Sequence, residues 1–205
     1  MRVYQHPASG NCMKVRMLAH VLGLELEYVD VDIFAGDGRR EPHLSRNPAG
    51  ATPVLEFRDG SFLAESGAIL VWLATGTPLL PTDRDAHAQV IRWLLFEQNA
   101  IEATIAVARF RILFFGASPD DPAIADRIQG GRSQLKVLER QLDGRAFVTG
   151  DALTIADIAL YGYVHVAGDL QLDLGRRPGV VAWLERVRET TGYTTPLAPI
   201  PPPRR

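Results

Sequence analysis

The feature that most constrains the fold is a hairpin signal at Asp59-Gly60, which lies between two short apolar runs at residues 53–57 and 62–64. Asp-Gly is a favoured dipeptide of tight hairpin turns, because both residues tolerate the positive φ angles that such turns require. A helix pattern follows over residues 66–75. This region therefore predicts two antiparallel strands and then a helix.

The residues ahead of the hairpin predict a parallel strand pair. Residues 2–5 form a short strand, and residues 28–33 alternate apolar with acidic side chains, as a second strand does. Between them, four apolar residues recur at the spacing of one helix face: Val15, Leu18, Ala19 and Leu22. Two parallel strands joined by a helix form a right-handed βαβ unit. With the hairpin and its helix, and one helical turn in the loop between, the chain has the thioredoxin order of elements.

The second half of the chain predicts only helices. A long helix runs over about residues 85–115, and a second covers about residues 123–142. A third helix begins at Thr154, and a fourth places its apolar residues, Trp183 among them, on one face.

A stretch with two prolines separates the halves, and we place the linker there, at residues 78–84. The first domain is then residues 1–77 and the second residues 85–205. The tail from Thr194 is dense in proline and predicts no packed element.

Composition excludes several classes of protein. The 205 residues carry a formal net charge of -2, which gives no general attraction to nucleic acid or acidic membranes. No apolar stretch is long enough to span a bilayer, and the N-terminus has no signal region. The single cysteine, Cys12, rules out an internal disulfide, and the five histidines show no ligand spacing. We therefore expect a cytoplasmic protein without a metal, a membrane partner or a nucleic-acid partner.

Four segments, in order and at family spacing, resemble the glutathione transferases: residues 9–16 (SGNCMKVR), 47–56 (NPAGATPVLE), 65–70 (ESGAIL) and 154–157 (TIAD). Residues 35–42 also resemble the loop of the serine-type classes (phi, theta and nu-like bacterial). The resemblance covers nearly the whole chain. It implies a thioredoxin-like α/β N-terminal domain, an all-α C-terminal helical bundle domain and a homodimer active in detoxification.

The resemblance implies that five residues bind glutathione as the co-substrate. A cis bond before Pro53 would turn the main chain of Thr52 toward the cysteinyl part of glutathione. Ser66, at a helix start, would bind the γ-glutamyl carboxylate, and Glu65 the ammonium group. Arg39 would hold the glycyl carboxylate. The alternatives are a strand-starting proline, a plain helix cap and a solvated basic face.

The catalytic residues implied by the resemblance are Ser9 and Asn11. Glutathione's thiol is mostly protonated at neutral pH, whereas the thiolate is the nucleophile. The Ser9 hydroxyl and the field of the following helix would stabilise the thiolate, and Asn11 would add a second donor. Alternatively, Ser9 only caps the helix. Cys12 is a possible redox residue, because a helix start lowers a thiol pKa, but a buried helix position is the alternative.

A second-substrate pocket is expected between the domains, where four residues would supply an apolar wall and one cation: Phe34, Arg109, Phe110 and Phe114. Core aromatics of a long helix are the alternative interpretation. Two positions depart from the family pattern. Gly38 stands where a glutathione-contacting histidine is usual, and Ala51 where a glutamine or lysine is usual.

Thr154 and Asp157 have the spacing of a capping box, with Leu153 and Ile158 at the staple positions. This motif concerns folding and not catalysis. The function predicted is thiolate attack on a small, apolar electrophile. Two alternatives stay open: glutathione-dependent reduction of disulfides or peroxides, and a non-catalytic binding or interaction module on the same fold.

Overall fold

Four strands form one mixed sheet in the computed structural model, which describes residues 1–201. Their order across the sheet is β2–β1–β3–β4. The sheet consists of β1 (Arg2–Gln5), β2 (Glu27–Asp30), β3 (Val54–Glu56) and β4 (Phe62–Ala64). β1 runs parallel to β2 and antiparallel to β3, and β3 pairs antiparallel with β4 across the predicted hairpin.

The second strand is shorter than the sequence predicts. It ends at Asp30 and not at Ile33. The main-chain N–H of Ile33 donates to the carbonyl of Val31 (2.8 Å), which turns the chain out of the sheet.

The helices beside the sheet are α1 (Gly10–Val21), the short α2 (His43–Arg46) and α3 (Ser66–Ala74). α1 packs against α3 and buries the predicted face, including Val15 and Leu18. Together with the sheet, this order confirms the thioredoxin-like fold.

As far as residue 201, the regular elements of the second half are all helical. It comprises α4 (Arg84–Phe96), a π-helical stretch (Glu97–Ala106), α5 (Val107–Phe115), α6 (Pro122–Gln141), α7 (Ile155–Val164) and α8 (Pro178–Thr191). The predicted long helix is thus continuous, but its middle widens to the i→i+5 hydrogen-bond pattern. A periodic apolar pattern does not distinguish the two kinds of helix.

The predicted capping box is present at the start of α7. The Asp157 carboxylate accepts from the Thr154 main-chain N–H (3.0 Å), the Val148 main-chain N–H (2.9 Å) and the Trp183 indole N–H (2.9 Å). It is fully buried, at 0% exposure. Burial raises the pKa of Asp157, and the donated hydrogen bonds oppose that shift.

The chain divides into two units. The first is Met1–Thr75 with Tyr193–Pro199, and the second is Gly76–Gly192 with the remaining described residues. Residues 193–199, here called the C-terminal strap, therefore pack with the first unit, although the sequence predicts no packed element from Thr194 onward. A buried tyrosine, Tyr193 at 7% exposure, and a main-chain hydrogen bond hold the strap, and proline-dense composition signals neither. Residues 202–205 lie outside the described residues.

Within residues 1–201, none of the helices combines the length and apolar character needed to cross a bilayer.

Candidate active site

Ser9 is the N-cap of α1. Its Oγ accepts the main-chain N–H of Cys12 (3.3 Å), and its own N–H donates to the His6 carbonyl (3.0 Å). A hydroxyl that accepts one bond keeps its proton for a further acceptor. No acidic residue stands in the first turn of α1, so a negative ligand meets no repulsion there. Ser9 can therefore cap the helix and still donate its one proton, either to the Cys12 thiol or to an anion.

Cys12 lies beneath Ser9 and is 0% exposed. Burial raises the pKa of its thiol, while hydrogen bonds from the Ser9 and Thr52 side chains and the His6 main chain act in the opposite direction. The Sγ atom accepts the His6 N–H at 3.4 Å. This environment favours the neutral thiol and excludes a solvent-borne reactant, so it supports the buried-residue alternative over a redox role.

The Thr52–Pro53 peptide bond is cis, as the resemblance implies. The preceding carbonyl, that of Ala51, accepts from His43 Nε2 (3.0 Å) and from Asn47 Nδ2 (3.0 Å). Both donor residues are buried. They fix the chain immediately before Thr52. Sequence reasoning missed this role: Asn47 opens one of the family segments, but the sequence carries no signal for His43.

The start of α3 has no side-chain cap. Its N-cap residue, Glu65, is exposed, has φ 69 and makes no side-chain hydrogen bond to the helix. The Ser66 side chain is also turned away from the helix backbone, since its Oγ lies 3.3 Å from Asn11 Oδ1. Neither side chain therefore caps α3, which argues against the plain-cap alternative. The main-chain N–H groups at this helix start remain suited to an anion.

Asn11 links the starts of α1 and α3. Its Oδ1 accepts from Ser66 and also from Lys14 Nζ at 2.7 Å. Lys14 is only 1% exposed, which makes it an unusual buried cation. The structure therefore brings together Ser9, Asn11 and Ser66 at neighbouring helix starts. Lys14 belongs to a family segment, but its burial could be inferred only from its place on the inner face of α1.

Arg39 ends a short 3-10 turn (Asp37–Arg39), is exposed, and donates from Nη1 to the Ala49 carbonyl at 3.0 Å. The neighbouring main chains are tightly apposed. A Cβ on Gly38 would lie 2.5 Å from the Gly50 carbonyl oxygen, and Gly50 has φ 69. A side chain at position 38 would therefore collide with the Gly50 main chain, so a histidine cannot stand there without a backbone shift.

The predicted second-substrate residues fall in both units. Phe34, in the first unit, packs edge-on against His6 with ring centroids 4.6 Å apart. In the second unit, Phe110 stacks on Phe114 at 5.2 Å, and the buried Arg109 forms an ion pair with Asp169 at 2.6 Å. Arg109 is thus already paired within its own unit. Among the described residues, no group of three or more acidic, histidine or cysteine side chains could hold a metal ion.

Fold and site together define a two-unit protein: a thioredoxin-like unit with a cis-proline and two helix starts suited to an anion, and an all-helical unit. Family models for the glutathione S-transferase N-terminal domain and C-terminal domain match residues 3–79 and 102–190. The chain belongs to the glutathione S-transferase family.

Individual relatives agree. A Fusarium glutathione S-transferase-like protein, LUC7, is 31% identical over 92% of this chain and 89% of its own length. The crystal structure of a glutathione S-transferase from Pseudomonas fluorescens is 42% identical, with a TM-score of 0.88 over 91% of this chain and 94% of that one. A Burkholderia graminis glutathione transferase, solved with two glutathione molecules per subunit, is 28% identical, with a TM-score of 0.79 over 93% and 86% of the chains.

Proposed function

We propose that this protein conjugates glutathione to small apolar electrophiles, with Ser9 stabilising the glutathione thiolate. The observation that carries the proposal is the position and hydrogen bonding of the Ser9 hydroxyl. Its oxygen accepts the Cys12 N–H, which orients the group at the start of α1, and its single proton can turn from the Cys12 thiol to a bound thiolate. A thiolate placed there would gain that hydrogen bond and the favourable field of a twelve-residue helix.

We assign the rest of glutathione to the neighbouring elements. The main chain of Thr52 would pair with the cysteinyl part, in the manner of strand addition. The γ-glutamyl carboxylate would bind at the uncapped start of α3, with Ser66, and Glu65 would pair with the ammonium group. Arg39 would hold the glycyl carboxylate. The bound glutathione of the Burkholderia relative supports glutathione as the ligand of this chain.

The proposed reaction forms one bond and breaks one. The thiol loses its proton to solvent, and the sulfur lone pair attacks the electrophilic carbon to form a carbon–sulfur bond. The leaving group, such as chloride, departs with the electron pair of the broken bond. Ser9 donates to the sulfur and lowers the thiol pKa, which raises the fraction of nucleophile at neutral pH.

The electrophile that we propose is apolar. The stacked Phe110 and Phe114 offer aromatic surface, and Phe34 does the same in the first unit. Arg109 contributes no uncompensated charge, because Asp169 neutralises it. Arg109, the one cation that the sequence analysis expects in the second-substrate pocket, is therefore not part of the proposal. The homodimer stays a prediction of the family resemblance, and the cytoplasmic location stays a prediction from composition.

The decisive experiment titrates the protein with reduced glutathione by calorimetry and then follows thiolate absorbance against pH. We expect the pKa of bound glutathione to lie about one unit or more below the free value of about 8.5 in the wild type. We expect Ser9→Ala to lose that decrease and Cys12→Ala, the matched control, to keep it. Turnover of 1-chloro-2,4-dinitrobenzene should follow the thiolate fraction.

Other outcomes have distinct meanings. A decrease lost only in Cys12→Ala would move the chemistry to that thiol. Turnover of a mixed disulfide or a peroxide in the absence of any conjugation would establish the reductase alternative. A protein that binds no glutathione would overturn both enzymatic functions and leave the non-catalytic module.

A further inference from the structure

Arg16 connects α1 with three other parts of the first unit. Its Nε donates to the Tyr193 hydroxyl of the C-terminal strap at 3.3 Å. Its Nη2 donates to the Pro7 carbonyl at 3.2 Å, and its Nη1 donates to the Gln5 side chain at the end of β1. A planar guanidinium is suited to this task, because its donors diverge at fixed angles toward several acceptors.

The strap also binds the same loop directly. The main-chain N–H of Ala198 donates to the Pro7 carbonyl at 3.2 Å. That carbonyl thus receives two donors, Arg16 and Ala198, which is the full capacity of its two lone pairs. At the other end of the strap, the Tyr193 ring packs edge-on against His20 with centroids 5.7 Å apart.

The loop held in this way is the one that carries Ser9. Within the loop, Ala8 N–H donates to His6 Nδ1 (3.1 Å) and Ser9 N–H donates to the His6 carbonyl (3.0 Å). These internal bonds make residues 6–9 a single rigid turn. The bonds to the Pro7 carbonyl come from outside the turn and therefore set where it lies relative to α1.

We propose that Arg16 and the C-terminal strap are positioning elements that place the Ser9 hydroxyl for donation to the glutathione sulfur. This inference rests on the proposed function. Hydrogen-bond strength falls steeply as distance and angle depart from the optimum, so a displaced turn stabilises the thiolate less. In the proposed function, glutathione binding depends on Thr52 and Ser66, which lie outside the strap and outside the turn that carries Ser9.

The sharpest test removes one of these hydrogen-bonding groups at a time in the full chain. Ala198→Pro deletes the N–H that bonds to Pro7, and Ala198→Ser keeps it and is the matched control. Tyr193→Phe deletes only the hydroxyl that receives Arg16. Arg16→Met removes every bond of the guanidinium. For each variant, the thiolate absorbance of bound glutathione is followed against pH, and the glutathione Kd, kcat and KM are measured.

We expect Ala198→Pro and Tyr193→Phe to raise the pKa of bound glutathione by about 0.5, and Arg16→Met by about 1. At a pH below these values, kcat should fall about threefold and about tenfold respectively, with the glutathione Kd within about twofold of wild type. Ala198→Ser should match the wild type in every quantity.

An unchanged thiolate pKa in both Ala198→Pro and Tyr193→Phe would overturn the inference, even if their stability fell, because the strap would then be merely structural. A rise in Kd with no change in pKa would overturn it too. A wild-type protein that binds glutathione without lowering its thiol pKa would instead overturn the proposed function, and the positioning role with it. The wild-type measurement thus separates the two failures.

Discussion

The starts of α3 and α7 use opposite solutions to the same problem. Every helix begins with main-chain N–H groups that lack partners within the helix. At α7, Thr154 and Asp157 form a capping box, and the buried Asp157 carboxylate also binds the Trp183 indole. At α3, Glu65 makes no capping bond, and the Ser66 side chain bonds to Asn11 instead.

The difference separates a site that holds the fold from a site that can bind a ligand. A carboxylate of the protein already occupies the start of α7, so no external anion can compete for it. The start of α3 leaves that place open, which lowers stability by about the 1 kcal/mol that a cap normally contributes. A ligand carboxylate would restore the missing interactions on binding.

The largest expected effect is at the start of α7, which the Asp157 carboxylate already occupies. Asp157→Ala removes the cap and leaves the Trp183 indole and the Val148 N–H buried without their acceptor. We expect the free energy of unfolding to fall by about 3 kcal/mol or more, as one lost cap and two unpaired buried donors imply. Urea denaturation measures it, with the exposed Asp151→Ala as the control. A loss below about 1 kcal/mol would show that α7 is not held by this carboxylate.

The next prediction concerns the start of α3, where no side chain caps the helix. Ser66→Ala should weaken glutathione binding by about tenfold or more, since a hydrogen bond to a charged group contributes about 1.5–3 kcal/mol. The free energy of unfolding should fall by only about 1 kcal/mol, because Ser66 is not a cap and loses a single hydrogen bond, the one to Asn11. Calorimetry and urea denaturation measure the two quantities, with Ser133→Ala on the exposed face of α6 as control. A stability loss with normal binding would reverse the assignment and make Ser66 structural.

Several features of the fold, including the capping box of α7, were predictable from the sequence because their signals are local. The Asp59-Gly60 hairpin, the inner face of α1 and the Thr154–Asp157 box each depend on residues a few positions apart. The cis bond before Pro53 was predictable only because the family segment around it is recognisable.

Other features depend on contacts between distant residues and left no local pattern. Arg16 and Tyr193 are 177 positions apart, and no periodicity links them. The close approach of Gly38 and Gly50 is a main-chain contact, so the sequence around either glycine does not predict the other as its neighbour. The left-handed backbone of Glu65 is unexpected for glutamate, and only the surrounding structure imposes it.

The positive φ of Glu65 gives a third prediction, with a smaller expected effect. Glu65→Gly relieves the positive φ and should raise the free energy of unfolding by about 1 kcal/mol, whereas Glu65→Gln keeps the strain and should leave it unchanged. Both variants lose the carboxylate, so both should bind glutathione more weakly than wild type. Equal stability of the two variants would show that the conformation carries no strain, and unimpaired binding in both would remove Glu65 from the site.

The smallest effect concerns pH and the turn that carries Ser9. His6 Nδ1 accepts the Ala8 N–H, so this turn requires a ring without a proton on Nδ1. Burial lowers the pKa of His6; Asp32 and Asp30 oppose that shift, and Arg16 adds to it. The unfolded chain, with a histidine pKa of about 6.5, therefore binds the proton more readily than the folded one. The resulting stability is fully present above about pH 6.5 and is lost as the pH falls through the folded pKa.

His6→Asn tests this reasoning, because the asparagine Oδ1 can accept the same N–H at any pH. We expect the free energy of unfolding to fall less steeply below about pH 6.5 in the variant than in the wild type. Other groups that titrate in this range, including the half-buried His165, are present in both proteins and cancel in the difference. The exposed His20→Asn serves as control. Parallel pH profiles for wild type and His6→Asn would show that His6 protonation does not oppose the turn that carries Ser9.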